Sequence, residues 1–337
     1  MGTTYRAQSA ALQSVQEAVK GIEVATQTVR HVFETLKITP IDEIYRPKLS
    51  IGALVANQGG EFAVRRGTEW EINGPVIVDQ FHTYLSMVVN GVPVCVGAAP
   101  NCVWTATRSP VVDPALKSRS FTAMLTDGTT PMYQKFLYSM AQKLEVQGSE
   151  NSPITFALSG FGRRLLTGAW TGAIALPTMD MPGMAFSTVY IDPVASWPTP
   201  ATAVVAAVLG WKYTIETGVR PFSTADGRTD LDFSTDEINP ADAKISAEIT
   251  LLAKAGGIWA TEKTAAEAGT ARMVSILSTI TAARSLQFIG YMKYSAGSLF
   301  PDGEKDGLQT VNLKLEGSTD LTNFLIMVCK NAIATLT

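Results

Sequence analysis

The stretch Lys143-Leu144-Glu145-Val146-Gln147-Gly148-Ser149-Glu150-Asn151-Ser152-Pro153-Ile154-Thr155-Phe156-Ala157-Leu158-Ser159 decides the fold. Leu144 and Val146 alternate with Lys143, Glu145 and Gln147. After the break, Ile154, Phe156 and Leu158 alternate with Thr155, Ala157 and Ser159. Successive side chains of a strand point to opposite faces, so each run has one apolar and one polar face. The Gly-Ser-Glu-Asn-Ser-Pro segment between them is turn-forming, and the spacing predicts a β-hairpin.

The same period of two recurs along the chain. Trp70 and Ile72 alternate with Glu69 and Glu71, and Trp211, Tyr213 and Ile215 alternate with Lys212, Thr214 and Glu216. Ile245, Ala247 and Ile249 alternate with Ser246, Glu248 and Thr250. Val311, Leu313 and Leu315 alternate with Asn312, Lys314 and Glu316. The aromatic residues in these runs lie on apolar faces and read as core.

Two segments carry helical spacing instead. Phe81, Tyr84, Leu85 and Val88 recur at i, i+3, i+4 and i+7, with Asp79 placed as an N-cap and Gly91 as a C′ residue. Met273, Ile276, Leu277 and Ile280 repeat that spacing, and Thr264 with Glu267 has the separation of a capping box upstream. Both sets are expected to pack helices onto sheets. Each half of the chain then reads as strands, one helix, and more strands with a hairpin, which points to an internal duplication of the fold.

Pro177, Pro182, Pro193, Pro198 and Pro200 mark the division. Proline fixes φ and removes a ladder donor, so this stretch reads as a connector. The expected organisation is an N-terminal arm over 1–38, a first module over 39–175, a connector over 176–200 and a second module over 201–337. The fold class is α+β, mainly β. Residues 92–118, with Pro93, Pro100, Pro110 and Pro114, read as a long irregular loop.

Composition narrows the function classes. The chain has 337 residues, 46% of them hydrophobic and 17% charged, and a formal net charge of −3. That balance excludes disorder, and it offers no basic excess for gripping phosphates. The three cysteines, Cys95, Cys102 and Cys329, show no CxxC pair, so neither a disulfide framework nor a zinc site is indicated. The N-terminus has no apolar signal region, and the apolar run from Ala203 to Leu209 is far short of the ~20 residues that span a bilayer. Synthesis in a cytoplasm and no membrane partner are expected.

Enzymatic motifs are sparse. His31 and His82 are the only histidines. His82 falls off the apolar stripe of its helix and reads as a surface or partly buried residue. No GxSxG elbow and no Walker A sequence occur, and Gly160-Phe161-Gly162 lacks the third glycine of a dinucleotide fingerprint. The acidic stretch from Asp226 to Glu237 fails as a calcium loop because Arg228 and Leu231 occupy its third and sixth positions. The arginine pairs Arg65-Arg66 and Arg163-Arg164 read as contacts to acidic loops, between subunits. No catalytic residue, cofactor or metal is expected.

The run Gly67-Thr68-Glu69-Trp70-Glu71-Ile72-Asn73-Gly74-Pro75, followed by Asp79-Gln80-Phe81, resembles the pattern GxEWExxGxxxxxQ of major tail tube proteins of long-tailed bacteriophages. The Ser120-Phe121-Thr122 segment, the Lys143–Leu158 hairpin, Leu286-Gln287-Phe288-Ile289-Gly290, Asp302-Gly303 and Val311–Leu315 follow in the order seen in that family. The resemblance is a loose pattern of strands and turns over most of residues 20 to 335.

The resemblance implies a structural virion protein of the phage tail, made in the host cytoplasm. Two tube-type β-sandwich or barrel modules, each with a flanking helix, would contribute strands to a large β-barrel shared between subunits. Rings would stack around a channel through which DNA passes transiently. The duplicated form implies a ring trimer with pseudo-six-fold symmetry, and the single-module form a hexamer. Implied partners are further copies of the chain, the tape-measure protein, and the tail terminator and tail tip proteins. Glu145, Gln147, Thr155, Asn312 and Lys314 are the candidate channel-facing residues. Two other classes stay open: a monomeric two-domain adhesin-like β-sandwich, and a hydrolase built on a histidine or a carboxylate pair.

Overall fold

Most of the chain alternates with period two and is rich in Val, Ile, Thr and aromatic residues, which fit a pleated, half-buried surface. A computed structural model describes residues 10–45, 62–89, 93–99, 101–109, 115–126, 130–204, 208–224, 231–253, 258–295, 301–305, 308–318 and 324–334. The fold is mainly β with antiparallel pairing.

Strands β1 (Ala11–Gln16), β2 (Val29–His31), β3 (Thr35–Tyr45) and β4 (Phe62–Pro75) precede helix α1 (Val78–Val88). After it come β5 (Val94–Val96), β6 (Cys102–Arg108), β7 (Arg119–Thr126), β8 (Pro131–Ser149), β9 (Thr155–Gly162) and β10 (Leu166–Thr167). The second half holds β11 (Ser187–Pro193), β12 (Val208–Phe222) and β13 (Thr235–Leu252), then helix α2 (Ile258–Glu267). Strands β14 (Arg272–Thr281), β15 (Arg284–Tyr294), β16 (Pro301–Lys305), β17 (Leu308–Gly317) and β18 (Leu325–Asn331) complete it.

The central sheet runs β3-β4-β9-β8-β12-β13-β17-β16, every neighbour antiparallel. The two halves enter it in the same order. In each, a hairpin (β3-β4 or β12-β13) leads into a helix, and a later hairpin (β8-β9 or β16-β17) returns with its second strand beside the strand that led into the helix. The seam between the halves is the β8–β12 pair, where Leu144 lies opposite Ile215 and Val146 opposite Tyr213. Among the described residues, β3 pairs only with β4 and β16 only with β17, so the sheet ends on those two strands.

A second sheet, β11-β14-β15-β18-β6-β5, covers the apolar side of the first. Helix α1 lies between them, touching β8 and β12 on one side and β18, β15 and β6 on the other. Phe81 meets Phe156 and Phe288 edge-on, with centroids 6.4 and 6.2 Å apart. A third, smaller sheet, β2-β1-β7-β8-β10, is built on the first part of β8. Tyr138 sits between the two parts of β8 with φ of 52°, and its N–H donates to the Glu17 carboxylate at 2.8 Å.

Several expectations are corrected. The helix at Phe81, Tyr84, Leu85 and Val88 is present, but it has no solvent face: Asp79, Gln80, His82, Thr83 and Ser86 are buried too. Ile77 is its N-cap, and Asp79 is in the first turn, where its carboxylate accepts from the Ala332 N–H and lies 3.4 Å from Arg284. Gly91 lies outside the described residues.

Met273, Ile276, Leu277 and Ile280 form no helix; they belong to β14, paired with β11 and β15. Met273, Val274, Ser275 and Ile276 are all buried. A strand covered on both faces loses its alternation, and a continuous apolar run imitates helical spacing. The helix of this half is α2, upstream, and Thr264 and Glu267 lie in its last turn rather than at its start.

The expected irregular loop over 92–118 contains β5 and β6, and β6 pairs with β18. The expected arm over 1–38 contains β1 and β2, which pair with each other, and β1 joins β7; Leu12 and Val15 are buried and Val19 is exposed. The proline-rich connector contains β11. Cys95 and Cys102 form a disulfide across the β5–β6 turn with Cα atoms 5.9 Å apart, a pairing the spacing gave no reason to expect, and Cys329 is free and buried.

Candidate functional site

Cross-strand register decides which polar residues meet. On β8, Lys143, Glu145 and Gln147 share the face opposite Leu144 and Val146. Gln147 lies opposite Thr155 on β9 and Lys212 on β12, and Lys143 lies opposite Ser159 and Glu216. Across β12 and β13, Lys212 faces Glu248, Thr214 faces Ser246, and Glu216 faces Lys244. Across β13 and β17, Glu248 faces Lys314 and Thr250 faces Asn312. On the other flank Glu71 lies between Ser159 and Lys37.

These pairs place one polar face along the central sheet from β3 to β17, through both halves. The five residues singled out from the sequence, Glu145, Gln147, Thr155, Asn312 and Lys314, all lie on it. Gln147 and Thr155 are direct neighbours, while Asn312 and Lys314 lie on the far side of the β8–β12 seam. The opposite face is core: Trp70, Ile72, Leu144, Val146, Leu158, Tyr213, Ile215, Ile249, Leu313 and Leu315 are buried.

The seam is joined on the polar face by one carboxylate. Glu145 Oε1 lies 2.7 Å from the Lys143 ammonium and 3.0 Å from that of Lys212. Partial burial works against its charge, but hydrogen bonds and charge from both lysines outweigh this and hold the carboxyl below its ordinary range. A depression of about 330 Å³ beside it is lined by Glu71, Asn73, Gln147 and Thr155 among others.

Sequence reasoning missed Lys37, Lys212, Lys244, Glu216 and Glu248 as members of this face. The alternation marked most of them as polar partners of apolar strands. Only the pairing order, set by tertiary contacts, brings them together. Glu69 and Glu71, read as a polar sheet surface, lie on it as well.

The histidines are elsewhere. His82 is buried, which corrects its surface reading: its ring stacks on Trp104 with centroids 5.1 Å apart, and its Nδ1 is 3.1 Å from Asn331 Nδ2. His31 Nε2 lies 2.6 Å from Ser14 Oγ, and its Nδ1 lies 3.1 Å from the Tyr84 hydroxyl. This resembles a nucleophile and base, but Ser14 is fully buried and also accepts from Arg119 Nε at 3.0 Å. Burial, and secondarily the charge of Arg119, drive the His31 pKa down to about 3. A neutral, weakly basic imidazole under a closed core fits a structural role: it ties β1 and β2 to α1.

The arginine pairs find partners within the chain. Arg65 and Arg66 lie 3.5 and 3.4 Å from Glu43 and Asp42 on β3, Arg164 lies 3.7 Å from Asp232, and Arg163 lies over the Tyr138 ring. Among the described residues, no helix is long and apolar enough to cross a membrane. A scan of protein-family models finds no match to the chain, and a search of curated proteins finds no similar sequence.

Proposed function

We propose that this chain is the subunit of a self-assembled tube, the tail tube of a long-tailed bacteriophage. In this reading β3 of one copy pairs with β16 of the next, the central sheets close into one barrel, and the polar face lines its channel. The observation that carries it is the repeated strand order. The seam β8–β12 inside the chain joins the last strand of one half to the first strand of the other. The same join made between copies is β16 to β3, which removes both open edges.

Two equivalent halves per chain favour a ring of three copies over one of six. Glu145, Gln147, Thr155, Asn312 and Lys314 then face the channel. The tape-measure protein fills it before DNA passes, and the terminator and tip proteins close the tube's ends. The role is structural and needs no catalytic residue.

The test is a proline scan of β3. Alternate residues of an edge strand direct their N–H toward the neighbour or toward the open side. Proline at outward-directed positions is expected to leave the circular-dichroism spectrum and thermal transition in place while abolishing assembly. Assembly unaffected at every position of β3 would overturn edge-to-edge closure.

A further inference from the structure

The two helices are covered unequally. Helix α1 is buried along its whole length because the second half closes over it: it touches β12, β15 and β18 as well as its own β8. Asp79 lies 3.4 Å from Arg284 at the start of β15, and Asn331 at the end of β18 donates to the Val78 carbonyl at 3.3 Å. Helix α2 is held to its own half by Glu262, which lies 2.8 Å from Arg272 Nε and accepts from the Tyr294 hydroxyl at 2.7 Å. On its other side Thr261, Thr264 and Ala268 are exposed.

The surface that covers α1 has a counterpart in the first half. The outer strands run β1-β7-β8-β10 there and β11-β14-β15-β18 in the second half. The start of β8 and β10 therefore correspond to β15 and β18, and β3 corresponds to β12. On β12, beside α1, the apolar residues Trp211, Tyr213 and Ile215 are buried. On β3 the apolar residues Leu36 and Ile38 are only half-buried. Met132 and Gln134, which alternate with buried Phe136 along β8, are half-buried too.

We propose that α2 of one copy docks on the first half of the next, against Leu36 and Ile38 of β3 and the start of β8. The contact repeats between copies what α1 makes with β12 and β15 inside one. The inference rests on the ring reading and adds a contact separate from the β16–β3 join. The occupant is a second copy because the chain's own first half carries the matching surface. Within one chain that surface adjoins the β3 edge, at the opposite end of the central sheet from β16. The contact runs head to tail, with a different patch on each side, so it closes with the ring.

The Asp79–Arg284 contact supplies the pair to test. Asp79 is in the first turn of α1 and Arg284 opens β15; their counterparts are Thr261 on α2 and Met132 at the start of β8. The experiment treats full-length Thr261→Cys, Met132→Cys and the double variant with a short bismaleimide at assembling concentration. The native cysteines offer no exposed thiol, since Cys95 and Cys102 are paired and Cys329 is buried. The double variant is expected to give covalent trimers, an equal mixture of the two single variants covalent dimers, and each single variant alone only monomers.

Crosslinking of either single variant alone would place like against like and overturn the docking. Tubes in micrographs of the double variant without covalent dimers would remove the docking and leave the ring. Covalent dimers from the mixture without rings would keep the docking and remove closure, and neither would remove both. If the cysteine variants do not fold, Thr261→Arg at its exposed position is expected to keep the parent's circular-dichroism spectrum and thermal midpoint and to lose assembly. Tubes formed by Thr261→Arg as readily as by the parent would overturn the inference.

Discussion

Glu145 of the first half and Lys212 of the second meet at 3.0 Å across the β8–β12 seam. The carboxylate also holds Lys143 on its own strand, so one side chain ties two lysines on adjacent strands of a half-exposed surface. Such pairs contribute about 0.2–1 kcal/mol because solvent screens them.

Glu145→Gln is therefore expected to lower stability at neutral pH by no more than about 1 kcal/mol in urea unfolding. The folded-state pKa of Glu145 is depressed, so its contribution is complete above the ordinary glutamate value and is lost as pH falls through the folded value. The gap between the two proteins should close below about pH 4. A gap that persists in acid would place its origin in packing.

His31 gives a larger pH effect, in the same direction. Its pKa is about 3 in the fold, and about 6.5 is usual for an exposed imidazole. Between these values the unfolded chain binds the proton and the folded chain does not, so acid favours unfolding. Stability should fall by about 1.4 kcal/mol per unit as pH drops from ~6.5 toward ~3. His31→Gln should be less stable at neutral pH, by about 1–3 kcal/mol from the disturbed Ser14 and Tyr84 hydroxyls, and should lack this part of the slope. An unchanged slope would show that His31 titrates normally.

Gly160 sits where two strands come too close for a side chain. A Cβ there would overlap the Met140 carbonyl oxygen and lie 2.7 Å from the Trp70 ring. Both obstacles are fixed, one as backbone and one as a buried indole whose N–H donates to the Phe161 carbonyl at 3.1 Å. Gly160→Ala is expected to cost about 3 kcal/mol, read as a lowered thermal midpoint. Gly172, with open space around the same atom, serves as control.

Phe81 holds the helix between two sheets. It is fully buried and meets Tyr84, Phe156 and Phe288. Phe81→Ala is expected to cost about 3–5 kcal/mol, because both sheets would have to close on the cavity together. A loss below about 1 kcal/mol would mean that α1 is not the keystone between the layers.

The strands of the central sheet were legible because one face is wet and the other dry. That contrast writes Lys143 to Ser159, Trp211 to Glu216 and Val311 to Glu316 into the sequence as alternation. The second sheet was illegible for the converse reason. Strand β14 is covered on both sides, so Met273, Val274, Ser275 and Ile276 carry no contrast.

Helix α1 was legible in its spacing but not in its burial. Two polar residues on its other side reach remote partners: His82 lies against Asn331, and Asp79 meets Ala332 and Arg284. The five candidate residues were found one strand at a time. Their common face depends on β8 pairing with β12, a long-range choice that no local pattern records.

The central claim is that the chain closes on copies of itself. The most direct measurement is electron microscopy of the purified full-length protein at rising concentration, with light scattering for ring mass. Hollow tubes or stacked rings are expected, with three copies per ring. Monomers at every concentration, with no rings in the micrographs, would contradict the account.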